Sequence, residues 1–183
     1  MSCYCHRSGI SDLPGTNEIQ LIDPEDDVWV IFGSRSFETV GSSLTDRAKM
    51  VIGKFNEREL DTPDVIVSGG ADGADAVAEA VALTLDVPMV VFAVGSVNEN
   101  TSFRQSLADK PWVVEVVTSY DGESDDPVSG NGAYLTRNCA MAEVVGRHDG
   151  QGFAIWNGQS NGTQHMMDSC LSHGVETEVW KFK

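Results

Sequence analysis

Three stretches of the chain combine glycine with polar or charged side chains at the point where a buried strand is predicted to end. They are Gly33-Ser34-Arg35, the run from Ser68 to Asp75, and the run from Gly158 to Thr163. Glycine permits positive φ and lets the backbone approach a ligand closely. A helix that starts at such a turn presents unpaired N–H groups and the positive end of its dipole. Together these features predict an anion site, most often for phosphate.

The central turn has the fullest pattern, because a β-branched run ends in a glycine pair and an alanine-rich helical pattern follows at once. The spacing of Gly69, Gly70 and Gly73 matches neither the dinucleotide fingerprint nor a Walker loop. A strand-to-helix turn with no ligand also favours glycine. The spacing alone therefore leaves two interpretations open, a phosphate loop or a purely structural turn.

The elements that must position these turns alternate between strand and helix. Continuous apolar runs predict buried strands at 27–32, 65–68, 89–94, 112–120 and 152–156, and 176–183 closes the chain as a short strand. Helical spacing of apolar residues predicts helices over 42–60, 74–85 and 134–145, and a last helix whose buried face carries Met166, Met167, Cys170 and Leu171. This order is typical of an α/β fold, a single Rossmann-like domain with a mostly parallel sheet and helices on both faces. Ligands of such sheets bind outside the carboxyl ends of the strands, where the three turns are expected to converge.

Outside these elements the sequence is polar and irregular. Residues 1–26 are predicted to form an irregular N-terminal arm, residues 27–183 the domain, and 96–109 and 121–132 surface loops. Cys3, Cys5 and His6 lack further ligands at a suitable spacing, so no metal site is predicted. Cys139 and Cys170 fall on apolar helical faces and are expected to be small core residues.

The charge is strongly acidic: 28 acidic residues against 12 basic ones give a net charge of −16 over 183 residues. One interpretation is repulsion of nucleic acid, whose binding needs a basic face. The other is adaptation to high salt, which screens self-repulsion of an acidic surface. Sixteen of the acids are aspartate, only five bases are lysine, and the acids are spread along the chain, which favours the halophilic interpretation. No run is apolar and long enough to span a bilayer, so a cytoplasmic protein without a membrane or nucleic-acid partner is expected.

These motifs resemble the SLOG superfamily, a Rossmann-like group that includes the Lonely Guy phosphoribohydrolases and the DNA-processing protein A family. The resemblance covers roughly residues 27–183 and is nearest to a small branch with a Gly-Ser-Arg opening. Its most specific part is the block from Gly69 to Asp75, and Arg137-Asn138 and Gly162-Thr163 add to it. Members bind nucleotides or nucleotide derivatives at the strand ends, and some cleave them. The resemblance also carries the expectation of a homodimer, and no cofactor is called for.

The resemblance implies a role for each matching residue. Gly69, Gly70 and Gly73 would let the backbone approach a phosphate, and Arg35 and Arg137 would supply charge and bidentate hydrogen bonds. Asp72 would reach a ribose hydroxyl, or Asp72 or Asp75 would cap the helix instead. Gly162 and Thr163 would present N–H and hydroxyl groups at a second helix start. The predicted ligand site comprises Gly33, Ser34, Arg35, Ser68, Gly69, Gly70, Asp72, Gly73, Asp75, Arg137, Asn138, Gly158, Gly162 and Thr163.

One departure from the Lonely Guy pattern bears on function. Those enzymes carry a glutamate three residues after their Gly-Thr, and this chain has Met166 there. A thioether transfers no proton, so no catalytic residue is predicted at that position. His165 and Glu143 are the nearby titratable groups that would have to replace it. The leading hypothesis is thus a sensor or carrier that binds a nucleotide or nucleotide derivative. The alternatives are a nucleotide hydrolase, and an interaction protein that has kept the fold without the ligand.

Overall fold

The computed structural model describes residues 21–37, 43–94, 113–118 and 132–182. Within these ranges the helices are α1 (Leu44–Glu57), α2 (Ala74–Leu85), α3 (Gly132–Arg147) and α4 (Asn161–Ser172). The strands are β1 (Val28–Gly33), β2 (Val65–Ser68), β3 (Met89–Val94), β4 (Val113–Thr118), β5 (Gln151–Trp156) and β6 (Glu176–Lys181). They form one sheet in the order β4-β3-β2-β1-β5-β6, and every pairing between these strands is parallel. The predicted α/β class with a parallel sheet is therefore confirmed.

The sheet separates two apolar layers, because alternate residues of each strand point to opposite faces. On one face Trp29, Ile31 and Phe153 pack against α1 and α2 through residues such as Phe55 and Val77. On the other face, residues of β1, β2, β3 and β5 pack against α3 and α4 in a second cluster that includes Val30, Phe92, Met141 and Met166. Both faces of the central strands are covered, which explains why their sequences are apolar runs and do not alternate.

The predicted element bounds agree with the structure to within a few residues. The predicted limits of α2 and β3 match the observed ones, whereas α3 begins two residues before the predicted start and ends two residues after its predicted end. Of the predicted N-terminal arm, Leu21 and Ile22 pack against the second apolar cluster. Residues 1–20, with Cys3, Cys5 and His6, lie outside the described residues, as do the predicted loops except Gly132. Cys170 is buried, as expected, and Cys139 is only partly buried.

The strand order reverses at β1. From β1 the chain passes through α1 to β2 on one side, whereas β5 pairs with β1 on its other side. The connections that leave the carboxyl ends of β1 and β5 therefore diverge, and a crevice opens between them. In the described ranges no helix combines the length and apolar character that crossing a membrane requires.

Candidate functional site

A cleft of about 570 Å³ lies at this reversal point, outside the carboxyl ends of β1 and β5. All three glycine-containing turns contribute to its lining, together with the first turns of α3. The lining residues are Phe32, Gly33, Ser34, Arg35, Ser36, Ala71, Asp75, Tyr134, Leu135, Arg137, Asn138, Asn157, Ser160, Asn161, Gly162, Thr163 and Met166. Two arginines and one aspartate are its charged groups, so the lining carries a net positive charge in a chain of net charge −16.

Ser34 joins the first turn to the other two. Its backbone N–H donates to the carbonyl of Ile155 at 2.9 Å, and its hydroxyl oxygen accepts the N–H of Asn157 at 3.1 Å. Its carbonyl accepts the N–H of Ala74, the first residue of α2, at 3.3 Å. Ser34 is only 1% exposed, so these bonds are shielded from water. The residue that the motif places at a ligand therefore holds three chain segments together at the cleft.

Arg137 is the buried cation of the site. It is 9% exposed, and its guanidinium donates to the carbonyl of Gly69 at 2.9 Å and to Oδ1 of Asn138 at 3.1 Å. The carboxylate of Asp75 lies 4.0 Å away. Burial lowers the pKa of Arg137, the Asp75 carboxylate opposes this, and the charge of Arg35 lowers it further. Arginine nevertheless stays protonated, and its buried Nε has no hydrogen-bond partner in the described part of the chain.

The central turn is filled by the protein's own atoms. A Cβ on Gly69 would lie 2.6 Å from Cζ of Arg137, and one on Gly73 would lie 2.4 Å from the carbonyl oxygen of Arg35. Gly73 also has φ +74°, a backbone conformation that residues with a side chain rarely adopt. Gly70 has φ +66°, so all three glycines of the central turn have a structural reason that involves no ligand. Asp75, 4% exposed, accepts the N–H of Ala71 at 3.2 Å, which braces the turn that precedes α2, and no side chain caps the start of this helix at Gly73.

The third turn leaves its glycines open. No atom lies within 4 Å of a Cβ built on Gly158 or on Gly162. The side-chain oxygen of Asn157 accepts the N–H groups of Gln159 and Ser160 at 3.0 Å each. Ser160 is the N-cap of α4 and accepts the N–H of Thr163 at 3.3 Å.

This capping leaves two donors of the helix start available. The N–H groups of Asn161 and Gly162 make no hydrogen bond with the described residues, and both residues line the cleft. The start of α4 therefore presents these N–H groups and its positive dipole end to the cleft.

Arg35 and Tyr134 form the outer wall. The Arg35 side chain is exposed, and its Cζ lies 5.0 Å from the centre of the Tyr134 ring. Cζ of Arg137 lies 5.5 Å from the same ring centre. The two cations of the cleft therefore share one aromatic ring, an arrangement worth roughly 0.5–2 kcal/mol per contact.

The structure divides the predicted site residues into two groups. Those that line the cleft are Gly33, Ser34, Arg35, Asp75, Arg137, Asn138, Gly162 and Thr163. Those that do not are Ser68, Gly69, Gly70, Asp72, Gly73 and Gly158. Asp72 is exposed, and Ser68 is buried, its hydroxyl donating to the carbonyl of Asp75 at 3.4 Å.

Sequence reasoning missed several lining residues, of which Tyr134, Asn157 and Ser160 bear most on the site. A signal existed for each. Tyr134 lies three residues before Arg137, a spacing that places both on one helix face. Asn157-Gly158 is a common turn pair. Ser160, directly before the apolar helical pattern, is a typical N-cap.

Met166 lies in the cleft lining and is 1% exposed. With Phe32 it belongs to the apolar cluster beneath the cleft. His165, the adjacent titratable group, does not line the cleft, and its Nδ1 lies 3.4 Å from Nδ2 of the lining residue Asn138. Burial lowers the pKa of His165, and the Asp168 carboxylate opposes this. Met166 therefore offers the cleft an apolar contact and no proton transfer.

Comparison with known proteins supports the fold. No protein-family model and no curated protein matches the chain. Among solved structures, the X-ray structure of DNA processing protein A from Streptococcus pneumoniae is similar, with a TM-score of 0.51 and 22% sequence identity. The match covers 86% of this chain and 50% of that one, so this chain spans about half of that protein's length. At this identity the likeness shows the fold, and it agrees at that level with the SLOG resemblance.

Proposed function

We propose that the cleft binds a nucleotide or a nucleotide-derived anion, and that the protein acts as a sensor or carrier of this ligand. The observation that carries the proposal is that the N–H groups of Asn161 and Gly162, which have no partner among the described residues, line the same cleft as the guanidinium groups of Arg35 and Arg137. Helix starts and arginines are the groups that proteins use for phosphate.

The rest of the lining fits the remainder of such a ligand. Phe32, Leu135 and Met166 supply apolar surface for a base or a ribose. The cleft also lies where open α/β sheets bind their ligands. Because Met166 transfers no proton, the proposal favours binding over hydrolysis.

The binding test is calorimetric titration with AMP, ADP and adenosine in molar KCl. AMP or ADP should bind and adenosine should not, because the proposed anchor is the phosphate. Arg35→Ala should weaken binding about tenfold or more, since a charge-assisted contact is lost. Arg147→Ala is the matched control, because Arg147 lies at the far end of α3, pairs with Glu143 and is not part of the cleft lining. Equal affinity for adenosine and AMP would contradict a phosphate-anchored site.

A second assay separates binding from hydrolysis. Incubation of the protein with nucleoside monophosphates should release no free base, as measured by chromatography, whereas binding persists. Met166→Glu is the companion variant, because it restores the carboxyl group of the superfamily pattern. Base release by the natural sequence, lost on substitution of Glu143 or His165, would favour the hydrolase.

We also propose that the chain is adapted to high salt, on the basis of its 28 acidic and 12 basic residues. Salt screens repulsion between surface carboxylates, so the melting temperature should rise from low to molar KCl. A melting temperature that stays flat or falls would contradict this proposal.

A further inference from the structure

Arg35 is a cation at the mouth of the cleft, and few contacts hold its guanidinium group in place. Its side chain is exposed, and in the described part of the chain it makes no ion pair and no side-chain hydrogen bond. The contact that the structure records for its guanidinium is the face of Tyr134, at 5.0 Å from the ring centre. An exposed arginine without such a contact samples many rotamers, and ordering it costs entropy when a ligand binds.

The same ring also meets the second cation of the cleft. Cζ of Arg137 lies 5.5 Å from the Tyr134 ring centre, and Asp75 is the carboxylate near it, at 4.0 Å. Two guanidinium groups with one nearby carboxylate repel each other, and the negative face of an aromatic ring attracts both. Tyr134 thereby offsets a repulsion that would otherwise move the mobile member, Arg35, away from the cleft.

From this geometry we infer that Tyr134 is a positioning residue, which holds the guanidinium of Arg35 beside that of Arg137 before a ligand arrives. Its effect on ligand binding rests on the proposed function, and its effect on Arg35 does not. The ring supplies the interaction, because the Tyr134 hydroxyl makes no hydrogen bond with the described residues. Tyr134→Phe is therefore the conservative variant, and Tyr134→Leu removes the ring at similar apolar bulk.

The first arm of the test uses no ligand. In NMR spectra of protein labelled at arginine, the side-chain protons of Arg35 should show the upfield shift of nuclei above an aromatic ring. Arg35→Ala assigns the signals. The shift should persist in Tyr134→Phe and vanish in Tyr134→Leu. Unshifted Arg35 signals in the natural sequence, or a shift that survives Tyr134→Leu, would overturn the inference.

The second arm titrates ADP. Tyr134→Phe should bind within about twofold of the natural protein, and Tyr134→Leu about tenfold more weakly. In an Arg35→Ala background the Tyr134→Leu substitution should cost less than about threefold, because the group it positions is gone. An undiminished loss in that background, or a Tyr134→Phe variant as weak as Tyr134→Leu, would mean that Tyr134 acts on the ligand directly. Absence of ADP binding by the natural protein would count against the proposed function, while the NMR arm decides the positioning of Arg35.

Discussion

Two of the three strand-to-helix turns around the cleft use glycine in opposite ways. In the turn between β2 and α2, the space beside Gly69 is taken by Arg137 and Asp75, and that beside Gly73 by the backbone of Ser34 and Arg35. In the turn between β5 and α4, nothing lies within 4 Å of a Cβ on Gly158 or Gly162. The turn between β2 and α2 is packed like a core, whereas the turn between β5 and α4 is open, with Gly162 lining the cleft and Gly158 exposed outside it.

This difference shows that glycine in such a turn has two separate physical causes. One is close approach by the protein itself, as at Gly69, where the carbonyl also accepts from Arg137. The other is a positive φ, which is +82° at Gly158, where no neighbouring atom takes the space of a Cβ. The motif with the richer glycine pattern therefore builds the scaffold, and the plainer turn presents the free N–H groups.

The largest effect is expected at Gly73. Gly73→Ala forces a Cβ to within 2.4 Å of a backbone oxygen at φ +74°, and backbone cannot move aside as a side chain can. We expect a loss of about 3 kcal/mol in the free energy of unfolding, measured by chemical denaturation. A loss below about 1 kcal/mol would show that the central turn is not packed as described.

A smaller effect on stability, with a larger one on binding, is expected at Gly69. The added methyl group of Gly69→Ala meets the end of the Arg137 side chain, 2.6 Å from Cζ, and that side chain can shift. We expect a cost of about 1–2 kcal/mol and weaker ADP binding, because the guanidinium leaves its place in the cleft. ADP titration and denaturation of the same variant give both quantities. Full ADP affinity in this variant would show that Arg137 does not contribute to the proposed site.

Gly162 is the matched control in the open turn. A methyl group there meets no atom within 4 Å, and Gly162 lies in the first turn of α4. Gly162→Ala should leave stability unchanged or raise it by up to about 0.5 kcal/mol, because the unfolded chain loses freedom. Thermal unfolding of the Gly162→Ala and Gly73→Ala variants tests this difference between the two turns directly. Similar losses of stability in the two variants would contradict it.

The smallest effect concerns the link between the two turns. The Asn138 side chain connects them. Its Oδ1 accepts a hydrogen bond from Arg137, and its Nδ2 donates to the Gly162 carbonyl at 3.2 Å. The same Nδ2 lies 3.4 Å from Nδ1 of His165. Burial lowers the pKa of His165 below its ordinary 6.5, so folding favours the neutral ring.

The corresponding contribution to stability is present above pH 6.5 and is lost as the pH falls through the lower pKa of the folded state. Melting temperatures over this range, compared with those of His165→Gln, isolate the effect because the variant lacks the titrating ring. Identical pH profiles for the two proteins would show that His165 is not coupled to folding.

Most of the fold could be predicted from local sequence patterns. Apolar runs such as 89–94 are typical of strands covered on both faces, and the glycine and alanine pattern around Gly73 places the start of α2 at Ala74. The bounds of α3 were harder to predict, because its first two residues, Gly132 and Ala133, belong to no apolar repeat and glycine is a weak helix former.

The site was less predictable, because its contacts join distant segments. Nothing near Gly69 in sequence indicates that its missing side chain makes room for Arg137, 68 residues away. The same holds for the bond between Ser34 and Asn157, which spans 123 residues. Residue types predicted which turns meet, whereas the packing that decides which glycine faces a ligand depends on tertiary structure.

The position of β5 between β1 and β6 has a consequence for how the chain folds. β1 is synthesised early, yet one of its two neighbours, β5, lies more than a hundred residues further along the chain. Until β5 arrives, β1 has an unpaired apolar edge of the kind that promotes aggregation during synthesis. The cleft closes in the same step, because Ile155 and Asn157 supply the partners of Ser34. A nascent chain that stops before β5 therefore has neither a protected sheet nor a cleft, and a ligand could stabilise only the finished domain.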